Sequence, residues 1–181
     1  MIKEINKAYE VLKDGGVILY PTDTIWGLGC DATNEEAIMK IYKIKKRSNS
    51  KALITLVNNM NMLKKITNNI PEIDITSFPT TVIYSNISGI SKKLLAKDNS
   101  AAIRIANDVF CKKIINKLGK PIVSTSANIS NNIHPERFSD INDEIKNNVD
   151  YIVNLRMSEK MSVPSKIIRI NSKGEIINIR S

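Results

Sequence analysis

A helical repeat that gives way to a four-residue apolar run, within the first twenty residues, sets the terms on which this chain can fold. Ile5, Ala8, Tyr9 and Leu12 recur at spacings of three and four, which predicts a helix over residues 2–14. Gly15-Gly16 stops it. Val17-Ile18-Leu19-Tyr20 then reads as a buried strand that ends at Pro21. The alternation continues. Asn34 is placed to cap a second helix whose apolar face is Ala37, Ile38, Ile41, Tyr42 and Ile44. Strands are expected at 52–57, 82–84, 101–106 and 121–124, with helices around 59–66 and over 109–118, the latter stopped by Gly119. Residues 136–149 are weakly helical. Further strands are expected at 151–153, 165–170 and 175–179, the last two as a hairpin. No repeat, linker or low-complexity tract divides the 181 residues, so a single α/β domain over 1–181 with a mixed sheet is expected.

Composition narrows the class. Apolar residues make up 42%, and no run approaches the roughly 20 apolar residues of a membrane span. Met1-Ile2-Lys3-Glu4 lacks the pattern of a signal peptide, so a cytoplasmic protein is expected. Cys30 and Cys111 stand far apart and in no CxxC, which argues for buried free thiols over a disulfide framework or a zinc site. The net charge of +9 suits anionic partners such as nucleotides or RNA. Heavy use of Lys, Asn and Ile gives a second explanation, the coding bias of an AT-rich genome.

Small polar residues cluster at the ends of the expected strands: Thr22-Asp23-Thr24, Ser124-Thr125-Ser126-Ala127-Asn128, and Ser165-Lys166. Ligands of open α/β sheets bind at such strand ends. No Walker loop is present, and Gly27-Leu28-Gly29 lacks the third glycine of a dinucleotide loop, leaving a tight turn with close packing. His134, the chain's only histidine, precedes Pro135 and reads as an exposed turn residue. Lys45-Lys46-Arg47 with Lys51 is either a solvated helix end or a phosphate clamp. Arg104, inside the apolar run 101–106, calls for an anion, whether a structural partner or a ligand. Arg180, alternating with Ile177 and Ile179, is either an edge-strand charge or a second anion contact.

Together these residues resemble the YrdC-like family of L-threonylcarbamoyladenylate synthases, in length the single-domain bacterial form. The family's opening pattern stands as Pro21-Thr22-Asp23-Thr24-Ile25-Trp26-Gly27-Leu28-Gly29, its Lys-x-Arg motif as Lys45-Lys46-Arg47, and its Ser-x-Asn signature as Ser126-Ala127-Asn128. Arg104, Pro164-Ser165 and Arg180 match its strand arginine, later Pro-Ser and terminal arginine. The resemblance implies a twisted, mixed or mostly antiparallel sheet flanked by helices around a large, concave, electropositive cleft. It implies condensation of L-threonine, bicarbonate and ATP into L-threonylcarbamoyl-AMP and pyrophosphate, for modification of tRNA beside the anticodon. Mg²⁺ would accompany ATP, with no protein-bound metal. The TsaD-, TsaB- and TsaE-type threonylcarbamoyl-transfer proteins would act downstream, and tRNA is a further partner.

Carried over by motif, Thr24, Arg104, Ser124 and Ser165 would hold threonine, with Arg104 against its carboxylate. Arg47, Lys51, Ser100, Ser126 and Arg180 would contact ATP. Lys45, Arg47, Ser126 and Asn128 would form the catalytic group. All reactants are anionic or become so, and positioning with charge stabilisation can supply catalysis without a covalent intermediate. The chain departs from the family in having Ser48 after Arg47, Leu56 for a frequent His, Asn131 after Ser130, and Lys166 after Ser165. Pro79-Thr80-Thr81 replaces a Pro-Gly-Pro stretch, which predicts a less constrained loop. Trp26 is expected to pack where the family has another aromatic, with Gly27 and Gly29 turning the backbone away beneath it. The alternative from another class is a non-catalytic module of the same fold that binds double-stranded RNA or tRNA through the basic surface.

Overall fold

The computed structural model describes residues 1–48, 53–171 and 175–181. Except for the first, which follows Met1 without a side-chain cap, each α-helix begins where a polar side chain satisfies a free amide. In α2 (Glu35–Ile44) the Asn34 side chain accepts from Ala37 N at 3.1 Å. In α4 (Val109–Leu118) Asp108 accepts from Cys111 N at 2.9 Å. In the short α3 (Met60–Lys64) Asn59 accepts from Met62 N at 2.9 Å. Gly119 closes α4 in the left-handed region at φ 69°, which a residue with a Cβ adopts only at a cost. The remaining helices are α1 (Ile2–Lys13) and α5 (Asp143–Asn147).

Nine strands form one mixed sheet among the described residues: β1 (Ile18–Tyr20), β2 (Gly27–Gly29), β3 (Ile54–Val57), β4 (Thr80–Tyr84), β5 (Ala101–Ile105), β6 (Ile122–Ser126), β7 (Tyr151–Ile152), β8 (Lys166–Ile170) and β9 (Ile176–Arg180). Their order is β7-β1-β2-β6-β3-β5-β4-β8-β9. The pairs β1/β7, β3/β5 and β4/β8 are parallel, and the other five are antiparallel.

Strand alternation sends neighbouring residues to opposite faces. Ile18, Tyr20, Leu56 and Ile122 pack against α1 and α4, with Leu12, Phe110 and Ile114. Leu19, Leu28 and Val123 pack on the other face with Ile38 and Ile41 of α2. Further along that second face Val57, Val82, Ala101 and Ile103 meet Leu63 of α3. The layer of α1 and α4 covers only part of its face. Beyond it the same face continues through Ser124, Ala102, Arg104, Ile83 and Ile167, and there the cleft opens.

Two local expectations are corrected. Gly27-Leu28-Gly29 is no turn: it is β2, paired antiparallel with β1 through Tyr20↔Gly27 and Ile18↔Gly29. Its glycines answer to crowding. A Cβ on Gly29 would stand 2.6 Å from Tyr20 Cε1 and 2.8 Å from Val123 O. Thr80-Thr81 is not a loose loop but the start of β4, and Thr81 is fully buried. β-branched residues fit a pleated, half-covered strand, so these two threonines start β4.

Candidate active site

The cleft encloses about 290 Å³. Arg47, Arg104 and Arg180 line it, and no Asp or Glu does among the described residues. Its floor is the uncovered sheet face, and its walls are the segment after β1 and the strand ends of β6 and β8–β9.

Sheet register brings the cations together. On one level Arg104 has Leu56 on one side and Thr81 on the other. Ile167 lies beyond Thr81, and Arg180 beyond Ile167. Strict alternation along β9 would put Ile179 opposite Ile167. A bulge between Ile167 and Ile168 shifts the register, so Ile179 and Arg180 both line the cleft. Arg180 donates from Nε and Nη2 to Ser165 O at 2.9 and 2.7 Å, and from Nη2 to Ser165 Oγ at 3.2 Å. Ser165 Oγ also lies 2.8 Å from Thr81 Oγ1. Burial, then the nearby positive charge of Arg104, push the Arg180 guanidinium below its ordinary pKa.

Arg104 is 3% exposed. Its Nη1 donates to Thr24 Oγ1 at 3.1 Å, and its Nη2 lies 3.2 Å from Asp23 Oδ1. The ion pair is the structural partner that the sequence left open, yet it leaves the arginine on the cleft wall. A hydroxyl relay orients Thr24. Thr22 Oγ1 donates to Ile25 O at 2.7 Å and accepts from Thr24 N at 3.0 Å. With that proton spent, the 2.9 Å contact between the two hydroxyls runs from Thr24 to Thr22. Thr24 therefore turns its lone pairs to Arg104 and the cleft. Ser124 stands beside Gly27, where an added Cβ would meet its Oγ at 3.3 Å.

Across the cleft, Lys45 is 1% exposed and spends its ammonium on protein oxygens. Its Nζ donates to Ser126 O, to Asn128 O at 2.7 Å and to Asn128 Oδ1 at 3.2 Å. Burial, then the Arg47 guanidinium, lower its pKa to about 7. Asn128 Oδ1 also accepts from Ser126 Oγ at 2.5 Å, and its Nδ2 donates to Asn132 O at 2.5 Å. Neither Lys45 nor Asn128 lines the cleft; Ser126 and Arg47 do. Lys45 and Asn128 thus hold the segment that presents Ser126. With its proton engaged by Asn128, Ser126 offers the cleft lone pairs only.

Of the expected site residues, Thr24, Arg47, Arg104, Ser124, Ser126, Ser165 and Arg180 come together here. Lys51 lies outside the described residues. Ser100 is placed elsewhere: its Oγ donates to Asp98 Oδ1 at 2.6 Å and accepts from Arg169 Nη2 at 3.1 Å. It faces a second hollow of about 660 Å³ that meets the cleft at Ile83. Leu56 belongs to the core under α1 and α4. His134 is half-buried and contacts Ser162 O at 3.3 Å, so it is not a free surface residue. Trp26 is fully buried and packs on Phe138, ring centroids 5.2 Å apart. Sequence reasoning missed Thr81, whose hydroxyl meets Ser165, and the part Thr22 plays in orienting Thr24.

No described helix is long and apolar enough to cross a membrane. The Sua5/YciO/YrdC family model, described as telomere recombination, matches residues 10–181. A threonylcarbamoyl-AMP synthase of Riesia pediculicola is 37% identical over 137 residues, covering 71% of this chain and 73% of its own. A putative threonylcarbamoyl-AMP synthase of Methanocaldococcus jannaschii is 35% identical over 188 residues, covering 98% of this chain and 87% of its own. Among solved structures, P. abyssi Sua5 complexed with L-threonine has a TM-score of 0.85 at 22% identity. That match covers 97% of this chain but only 53% of that one. E. coli YciO has a TM-score of 0.81 at 21% identity, covering 100% of this chain and 90% of that one. At those identities the two structures speak for the fold. With the family model matched along nearly the whole sequence and the relatives similar over most of theirs, the chain belongs to the Sua5/YciO/YrdC family.

Proposed function

We propose that this protein is an L-threonylcarbamoyl-AMP synthase. Its substrates are L-threonine, bicarbonate and ATP; its products are L-threonylcarbamoyl-AMP, pyrophosphate and water. The threonine nitrogen attacks bicarbonate with loss of water. An oxygen of the resulting carbamate then attacks the α-phosphorus, and pyrophosphate leaves. The observation that carries this reading is the pairing of Arg104 and Arg180 in one cleft with no carboxylate among the described residues that line it. Such a site takes a carboxylate and a phosphate side by side.

In this reading Arg104 meets the threonine carboxylate. Thr24, with its lone pairs on the cleft side, accepts from the threonine ammonium, and Ser124 and Ser165 complete that end. Arg47 and Arg180 face the phosphates. Ser126, with only lone pairs to offer, accepts from a donor of the nucleotide such as a ribose hydroxyl. The cleft offers hydroxyls and guanidiniums but no carboxylate among the described residues, so Mg²⁺ would travel on the triphosphate oxygens and water. Placing three anionic groups in reacting geometry is the main catalytic task, and fixed cations aimed at developing charge perform it. The unstable product would pass, in the cytoplasm, to the proteins that transfer the threonylcarbamoyl group to tRNA.

Pyrophosphate release by Arg47→Ala and Arg104→Ala tests the assignment. Loss of one such group costs about 2–4 kcal/mol of barrier by analogy with oxyanion donors. Both variants are expected to fold and to lose most of the activity. Wild-type rates in both would remove the site from the mechanism. RNA affinity without turnover would instead favour the binding-module alternative.

A further inference from the structure

Arg156 lies outside the cleft and belongs to none of the motifs above. It is one of five non-glycine residues with positive φ among the described residues, at φ 55° in the turn Arg156–Glu159. Its guanidinium joins three segments. Nη1 donates to Thr22 O at 2.9 Å and to Asp108 Oδ2 at 3.1 Å, and Nε donates to Glu159 Oε2 at 2.7 Å. Asp108 is itself the cap of α4. The peptide that Arg156 holds, Thr22–Asp23, leads directly into the two residues that fix Arg104. Asp23 pairs with Arg104 Nη2 and also accepts from Asn107 N at 3.3 Å, while Thr24 accepts from Arg104 Nη1. A left-handed backbone at a residue with a long side chain costs on the order of 1 kcal/mol. Here it aims the guanidinium at the Thr22 carbonyl.

We propose that Arg156 is a positioning residue for the threonine end of the cleft: it braces the Thr22 carbonyl against the cap of α4 and so sets how Asp23 and Thr24 hold Arg104. The role of Arg104 toward a substrate carboxylate rests on the proposed function; the brace itself does not. Because the backbone at 156 is left-handed, Arg156→Gly removes the side chain and relieves the φ strain together. That variant is expected to melt lower than the wild type by no more than the loss of its two ion pairs and its bond to Thr22 O.

Three measurements on wild type, Arg156→Gly and Arg156→Lys test this: kinetics of pyrophosphate release, thermal unfolding, and the NMR resonance of the Arg104 side-chain Nε–H. In Arg156→Gly the KM for threonine is expected to rise on the order of tenfold, as displaced positioning groups do. The KM for ATP stays unchanged and the Arg104 resonance shifts. Arg156→Lys, which keeps a donor for Thr22 O or Asp108 but not for Glu159 as well, falls between. An unmoved Arg104 resonance with unchanged threonine KM overturns the proposal. So does a uniform loss of kcat and of both affinities that follows the melting temperature. If the wild type shows no threonine-dependent turnover, the proposed function fails, and the Arg104 resonance alone decides for or against the brace.

Discussion

Gly27 and Gly29 sit two residues apart in one three-residue strand, and adding a methyl to each should have different consequences. At Gly29 a Cβ would lie 2.6 Å from Tyr20 Cε1 and 2.8 Å from Val123 O. Neither can yield. Tyr20 is fully buried, with its hydroxyl on Val123 O at 3.2 Å, and Val123 N donates to Cys30 O at 2.8 Å. Overpacking of this kind costs about 1–3 kcal/mol, and two rigid neighbours place Gly29→Ala at about 3 kcal/mol. For a chain of this length that lowers the melting temperature by about 6–12 °C. At Gly27 the nearest atoms are Ser124 Oγ at 3.3 Å and Thr125 O at 3.4 Å. A side-chain hydroxyl can move a few tenths of an ångström, so Gly27→Ala costs under about 1 kcal/mol. Its methyl, however, stands on the cleft wall against Ser124, and the KM for threonine should rise. Thermal unfolding of both variants beside their pyrophosphate-release kinetics checks this. A Gly29→Ala protein as stable as wild type would refute the crowding argument, and so would a Gly27→Ala protein that loses stability and activity in proportion.

Other substitutions test the supports of the site. Thr22→Val keeps the shape but deletes the hydroxyl that bonds Ile25 O, Thr24 N and Thr24 Oγ1, leaving buried groups unpaired. Urea unfolding should show a loss of about 2–3 kcal/mol, against no change if the relay is incidental. Lys45 has a folded pKa near 7 against an ordinary 10.5, so between those values the unfolded chain binds more protons than the folded one. Its contribution to stability therefore rises with pH through that window. Wild-type stability should gain on that of Lys45→Met from pH 7 to 10, measured by urea unfolding at each pH. A constant difference would mean that Lys45 stays fully charged when buried.

The sequence carried the helices and most strands because their signals are local. Asn34 and Gly119 mark ends by chemistry that needs no tertiary partner. Gly27-Leu28-Gly29 failed because glycine in a strand and glycine in a turn look alike until the neighbour is known. Here that neighbour is Tyr20, which pairs directly with Gly27 and whose ring an added Cβ on Gly29 would strike. Arg104 was legible as a buried charge that demands an anion. That its anion is Asp23, the middle residue of the polar cluster Thr22-Asp23-Thr24, required the sheet to bring residues 23 and 104 together. Arg180 was ambiguous for a sharper reason: by alternation it belongs opposite Ile177 and Ile179, and only the bulge in β8–β9 brings it to their side. Arg156 left no trace in the sequence, since its role rests on a backbone conformation and a main-chain acceptor.

On the proposed function, this cleft joins threonine, bicarbonate and ATP. The most direct measurement is pyrophosphate release from ATP by the purified protein, with threonine and bicarbonate each omitted in turn. Either omission should abolish release, and Arg104→Ala should lower the complete reaction by roughly 10²–10³-fold. Release that continues unchanged without threonine would contradict that function.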